Sequence, residues 1–324
     1  MDLLHGIEPQ TLRKDTKMAE KKSKLILMMV ALCLATIAAM GDMVIIPVAD
    51  FLYTNYDMSA ASYILTAPAL ICAVVSAFAG KIIEKMGARK FLIIGFGIYT
   101  LSAVLTAFSQ NEIVLLVCRT LQGIGMGALG VCAVVIISEH FIDEKKRSSM
   151  IGIYNGMMAL VGAALGMLSG IVAAAGWTTV FWIYLVTIPI FILLILFIPK
   201  DTAEAAEDTD VQAAPKSKMP WGIVIRVAAS FFVYNLIYCV VYYQIAVICV
   251  DKGVVDTAFI GLLSSLATIG SFVACSTFGL YFPRTKRFTI TIAYALMAVF
   301  FIVLYLATEP APIAIASTLL GACY

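Results

Sequence analysis

Charge is what this chain has least of. Asp, Glu, Lys and Arg together make up 13% of the sequence, against about 25% in a soluble globular domain. So few ionisable groups cannot clothe a water-facing surface, which excludes a soluble enzyme or scaffold. Histidine is almost missing: His5 and His140 stand far apart, and no metal cluster is suggested by two isolated imidazoles. Cysteines are present at 33, 72, 118, 132, 239, 249, 275 and 323, but none forms a C-x-x-C pair. They lie in apolar runs, so they read as small buried hydrophobes rather than disulfides or metal ligands. A phosphate-binding glycine loop and a Ser/His/Asp arrangement are both lacking. No enzyme activity, cofactor or nucleic-acid partner is therefore expected.

What the chain does have is apolar length. Hydrophobic residues are 62% of it and mean hydropathy is +0.99. Apolar runs cover 25–48, 60–79, 91–108, 113–138, 150–175, 178–198, 222–250, 257–280, 288–307 and 311–324. About 20 apolar residues cross the hydrocarbon core as a helix. Nine runs are long enough to span with tilt, and the tenth reaches the end of the chain after 14 residues. The expected fold class is an all-α polytopic membrane protein.

Basic residues set the expected orientation. Residues 1–24 carry Arg13, Lys14, Lys17, Lys21, Lys22 and Lys24, and lysine and arginine then crowd into every second connection. Short loops rich in Lys and Arg stay on the cytoplasmic side. Residues 1–24 are thus expected to be a disordered cytoplasmic tail, with a cytoplasmic N-terminus. Residues 25–198 form a six-helix N-terminal bundle, and 199–220 form a linker. Five acids between Asp201 and Asp210, with Pro199, Pro215 and Pro220, give that linker its flexible composition. Residues 221–324 hold a partial C-terminal bundle, helices seven to nine and part of ten.

The connection after the second run is the most distinctive loop. Gly80, Glu84, Lys85, Gly87, Arg89 and Lys90 lie within eleven residues between two apolar runs, and two glycines would set its turns. Its spacing resembles G-x-x-x-D-R-x-G-R-[RK], the loop between helices two and three of the major facilitator superfamily. Glu84 stands for the usual Asp, Lys85 for the usual Arg and Ala88 for an Arg. Gly279 and Arg284 recur after the second run of the second half, a weak internal repeat of the kind transporters carry. The resemblance implies a loop that gates the cytoplasmic side.

Two charges fall at hydrocarbon depth, Asp42 and Arg119. Counting 1.5 Å per residue places both ~9 Å below the outer surface, so the two can meet. A charge there costs at least about 2.5–3.5 kcal/mol and marks a pathway or a partner. A structural ion pair is the plain alternative. Arg119, Gln122, Gly123 and Gly125 match R-x-x-Q-G-x-G, the fourth-helix motif of proton-coupled members of the same superfamily. There the arginine is implicated in proton or substrate handling. The physical logic is separate: a nearby guanidinium favours an ionised carboxylate, and its withdrawal favours the protonated one.

Gly123, Gly125, Gly127, Gly162, Gly166 and Gly170 sit at small-residue spacings that let helices pack closely. The fifth-helix antiporter motif is matched only in part, because Met167 replaces its proline and Ile171 its last glycine. On run seven, Tyr234, Tyr238 and Tyr242 recur every four residues beside Asn235. They suit a cavity wall, or hydrogen bonds to neighbouring helices.

The resemblance covers residues 25–324 and is nearest to the drug:proton antiporter branch. It implies a secondary active transporter of the cell membrane, working by alternating access and exporting amphipathic compounds with protons. Substrate- and proton-binding residues would be Asp42, Arg119, Gln122, Tyr234, Asn235, Tyr238 and Tyr242. A small molecule, protons and the bilayer would be the partners, and the protein a monomer. An uptake symporter or facilitator for a sugar, organic acid or amino acid is the first alternative. A non-transporting receptor or scaffold is the second.

Overall fold

A computed structural model describes residues 8–45, 48–109, 111–173, 175–199, 222, 224–234, 236–237, 257–285, 288–306 and 309–323. The chain divides into two units, Met1–Ala205 and Ala206–Tyr324. Among the described residues all regular structure is helical.

In the first unit α1 runs Glu8–Ala39, α2 Asp42–Ile45, α3 Ala49–Asn55, α4 Met58–Met86, α5 Ala88–Phe108, α6 Glu112–His140 and α7 Glu144–Ala173. A 3-10 helix at Trp177–Val186 leads into α8, Thr187–Phe197. Five of these helices, the last being the joined Trp177–Phe197, are long and apolar enough to cross a membrane. Helices satisfy their own backbone groups, which hydrocarbon demands.

Residues 8–24 are not a disordered tail. They belong to α1. Pro9 suits a first turn, where its missing N–H is no loss. Leu12, Lys14, Lys17, Met18, Ala19, Glu20, Lys21 and Lys22 are then good helix formers with no breaker among them. The first apolar run, by contrast, is interrupted: α1 stops at Ala39 and α2 restarts at Asp42.

α6 is the centre of this unit. It packs on α4, α5, α1 and α7, and its glycines make the close contacts possible. A Cβ on Gly123 would lie 2.7 Å from the Pro68 carbonyl oxygen of α4, and one on Gly127 would lie 2.9 Å from the Cys72 oxygen. Gly95 of α5 answers from the other side, where a Cβ would lie 2.5 Å from the Ala128 Cβ. Leu32, Phe96, Leu129 and Phe181 fill the core between helices. Leu101, Phe108 and Leu196 point outward, as side chains of a span in lipid should. Asn111 caps α6, its Oδ1 accepting from the Ile113 amide at 3.0 Å, and Asp143 does the same for the Lys146 amide at 3.1 Å before α7.

The second unit contains α9 (Val224–Tyr234), α10 (Thr257–Thr285), α11 (Thr289–Leu306) and α12 (Pro310–Cys323). α12 packs on α10 and α11. Tyr294 of α11 donates to the Ser230 carbonyl of α9 at 2.7 Å.

Candidate functional site: a buried charge pair at a helix break

The site begins with the interruption of the first apolar run between α1 and α2. Gly41 donates to the Ala38 carbonyl at 3.2 Å, and the Val44 amide to the Gly41 carbonyl at 3.2 Å. These are three-residue spacings, so the helix tightens and changes course over Met40 and Gly41. Two distant side chains hold the break. The Tyr184 hydroxyl donates to the Gly41 carbonyl at 2.9 Å, and the Ser169 hydroxyl donates to the Val44 carbonyl. Gly41 has to be glycine here, because the Tyr99 hydroxyl fills the space of a Cβ. Asp42 then opens α2 as its first residue.

Arg119 reaches Asp42 from α6. Its Nη2 donates to the Asp42 Oδ1 at 2.5 Å. Arg119 is 1% exposed and Asp42 26%. The guanidinium is held on its other sides too. Nη1 donates to the Gln122 Oε1 at 2.7 Å, and Nε donates to the Ile64 carbonyl of α4 at 2.8 Å. Gln122 is itself buried and donates to the Thr106 hydroxyl at 3.3 Å, which in turn donates to the Ser102 carbonyl at 2.8 Å. The guanidinium is thus a fixed, enclosed positive charge. The carboxylate is the accessible member of the pair. Binding or releasing a proton, or exchanging Arg119 for a cationic ligand, is the chemistry this arrangement allows.

The expected loop over 80–90 is a single residue. Glu84 and Lys85 lie in the last turns of α4, Arg89 and Lys90 in the first turn of α5, and Gly87 alone joins the two helices. Gly87 has φ 83°, a region favouring glycine. Gly80 sets no turn: it sits inside α4, and a Cβ there would meet open space. The helix simply continues further than the apolar run does. Arg89 donates from Nη2 to the Ile195 carbonyl of α8 at 3.4 Å, tying the start of α5 to the end of α8.

Gly125 and Gly127 pack closely, as expected. Gly162 meets the Met40 sulfur, 3.0 Å from where a Cβ would stand. For Gly166 and Gly170 nothing lies within 4 Å of a Cβ among the described residues, so the close contact expected of them is not seen there. Ser169 between them makes the contact instead. Tyr234 is buried, its ring edge-on to Tyr294 at 5.3 Å between centroids. Asn235, Tyr238 and Tyr242 lie outside the described residues, as do residues 200–220 of the linker. Tyr99, Ser169, Tyr184, Thr106 and the Ile64 carbonyl were absent from the sequence reading.

Two units of apolar helices, with a buried arginine paired to a carboxylate between α6 and α2, define a multi-pass membrane protein. Comparison with known proteins carries this further. Residues 31–324 match the Major Facilitator Superfamily, and the chain belongs to that family. Its curated relatives include multidrug resistance protein 3 of Bacillus subtilis (strain 168). That protein is 30% identical over 153 residues, covering 47% of this chain and 28% of the relative. Multidrug resistance protein MdtL of Escherichia coli O45:K1 (strain S88 / ExPEC) is 26% identical over 133 residues, covering 41% and 34%. The matched stretch thus spans about a third of the length of these relatives. Among solved structures, the proton:xylose symporter XylE superposes with a TM-score of 0.66 at 14% identity, covering 94% of this chain and 79% of that one. The human organic anion transporter MFSD10 gives 0.64 at 13%, covering 94% and 85%. These two likenesses show the fold.

Proposed function

We propose that this chain acts in secondary active transport, exporting small amphipathic molecules by alternating access in exchange for protons. One observation carries the reading: a fully enclosed arginine is paired with a carboxylate that remains partly accessible, at the break between α1 and α2. Broken spans and mid-membrane ion pairs are where transporters bind ligands and coupling ions. The multidrug relatives support export of amphipathic compounds in particular. Asp42 is the proton- or cation-binding group, Arg119 its conditional counter-ion and Gln122 the residue that holds Arg119. The Gly87 link, with its basic flanks, lies at the cytoplasmic face, the N-terminus is cytoplasmic and the protein sits in the cell membrane as a monomer.

Ethidium flux in membrane vesicles tests the reading. Inverted vesicles with an acid interior should accumulate the dye, and Asp42→Asn should abolish the proton-driven part. Failure of wild-type vesicles to respond to the proton gradient would refute it. A second reading, proton-coupled uptake, is favoured by Met167 standing where the antiporter motif has proline. Accumulation of a sugar or organic acid in right-side-out vesicles would select it.

A further inference from the structure

The anchor of Arg119 on α4 has a specific origin in the sequence. Pro68 lies inside α4. In an α-helix the amide of residue 68 would donate to the carbonyl of residue 64. Proline has no amide hydrogen, and its ring crowds the carbonyl four residues earlier. The Ile64 carbonyl is therefore left without its helical donor, on a residue that is fully buried. That carbonyl is the one that accepts from Arg119 Nε, at 2.8 Å.

The register of the two helices is matched. Ile64 and Pro68 are four residues apart on α4, and Arg119 and Gly123 are four apart on α6. Arg119 meets the carbonyl of Ile64, and Gly123 lies against Pro68 itself. A Cβ at 123 would stand 2.7 Å from the Pro68 oxygen and 3.0 Å from its Cα. The bare glycine backbone lets α6 come near enough for the arginine to reach. With Nε fixed on α4 and Nη1 fixed on Gln122 at 2.7 Å, the Nη2 edge is the one presented to Asp42.

We propose that Pro68 is a positioning residue for the charge pair: by withholding a backbone N–H it keeps the Ile64 carbonyl open for Arg119 Nε, and so sets how the guanidinium faces Asp42. This rests on the reading of Asp42 and Arg119 as the proton-handling pair, and it names the residue outside the pair that orients it. It also makes α4 a participant. A shift of α4 along α6 carries the anchor carbonyl with it and turns the guanidinium, with no change in either charged residue.

The test reads the hydrogen bond directly. The whole chain is labelled with 15N-arginine in lipid nanodiscs, and the Arg119 Nε–H resonance is assigned by its loss in Arg119→Lys. In the wild type it should resonate downfield of the exposed arginines and exchange slowly with solvent. Pro68→Ala restores the competing amide, and the resonance should move upfield with exchange at least about tenfold faster, since a hydrogen bond to a charged group has been weakened. The backbone-ester variant, with the α-hydroxy analogue of alanine at 68, removes the ring without adding a donor, and should keep the wild-type signal. An unchanged resonance in Pro68→Ala, or equal loss in the ester variant, would overturn the proposal. Should the alanine variant not fold, the ester variant decides alone: a retained signal supports the anchor and a lost one refutes it. Absence of proton-driven flux would defeat the transport reading while leaving this resonance as it is.

Discussion

Gly125 of α6 and Tyr99 of α5 share one space: a Cβ on Gly125 would fall on the Tyr99 side chain and 2.7 Å from the Gly95 carbonyl oxygen. Neither neighbour can yield easily, since Tyr99 is fully buried and the other contact is backbone. Gly125→Ala should therefore overpack the α5–α6 seam and cost about 1–3 kcal/mol. Gly162→Ala should be nearly neutral, because its neighbour is the flexible end of Met40. Thermal unfolding in detergent, read from a fluorescent size-exclusion signal, gives the comparison. Equal loss in both variants would contradict this account of the packing.

The link at Gly87 gives a second expectation. Its φ of 83° with ψ of 155° lies in a region used almost only by glycine and costs another residue about 1–3 kcal/mol. Gly87→Val should insert into the membrane and then lose transport, as measured by dye efflux beside a surface-expression control. Wild-type efflux would reduce the link to an ordinary turn.

For the charge pair, removing one partner strands the other, which costs about 3–5 kcal/mol when the pair is buried. Asp42→Ala and Arg119→Ala should each lower the melting temperature, Arg119→Ala more, because Ile64 and Gln122 lose their donor as well. The double variant should be less harmful than the two singles added together. Strict additivity would mean that the two residues do not act on each other.

Orientation is open to chemical labelling. Single cysteines placed in 49–59 or 251–256 should react with an impermeant maleimide added from outside, and those in 81–90 or 201–218 should not. External labelling within 81–90 would reverse the assignment.

The meeting of Asp42 with Arg119 was legible because helical rise alone sets depth. Each residue stood six positions from the expected outer end of its run, and two charges at one level in hydrocarbon have strong reason to pair. The break beside Asp42 was not legible. What permits it is the hydroxyl of Tyr184 and that of Ser169, 143 and 125 residues away in the chain, and neither residue type announces such a role. Gly166 and Gly170 have no close neighbour among the described residues. Small-residue spacing shows that a helix can be approached closely, not that anything approaches. Gly80 misled because a glycine near a charged stretch looks like a turn, although helix formers carry α4 past it to Met86. The tail erred the other way: polarity suggested disorder where uninterrupted helix formers extend the first span.

A connection of one residue has a practical meaning for how the molecule is made and handled. α4 and α5 span 29 and 21 residues with Gly87 alone between them, so the second cannot begin to form far from the first. The two would leave the ribosome as a closed hairpin and enter the bilayer as one object, not as two helices in succession. For the same reason this corner offers nothing for a protease to grip and no room for an inserted tag. A fluorescent reporter or epitope should be carried elsewhere.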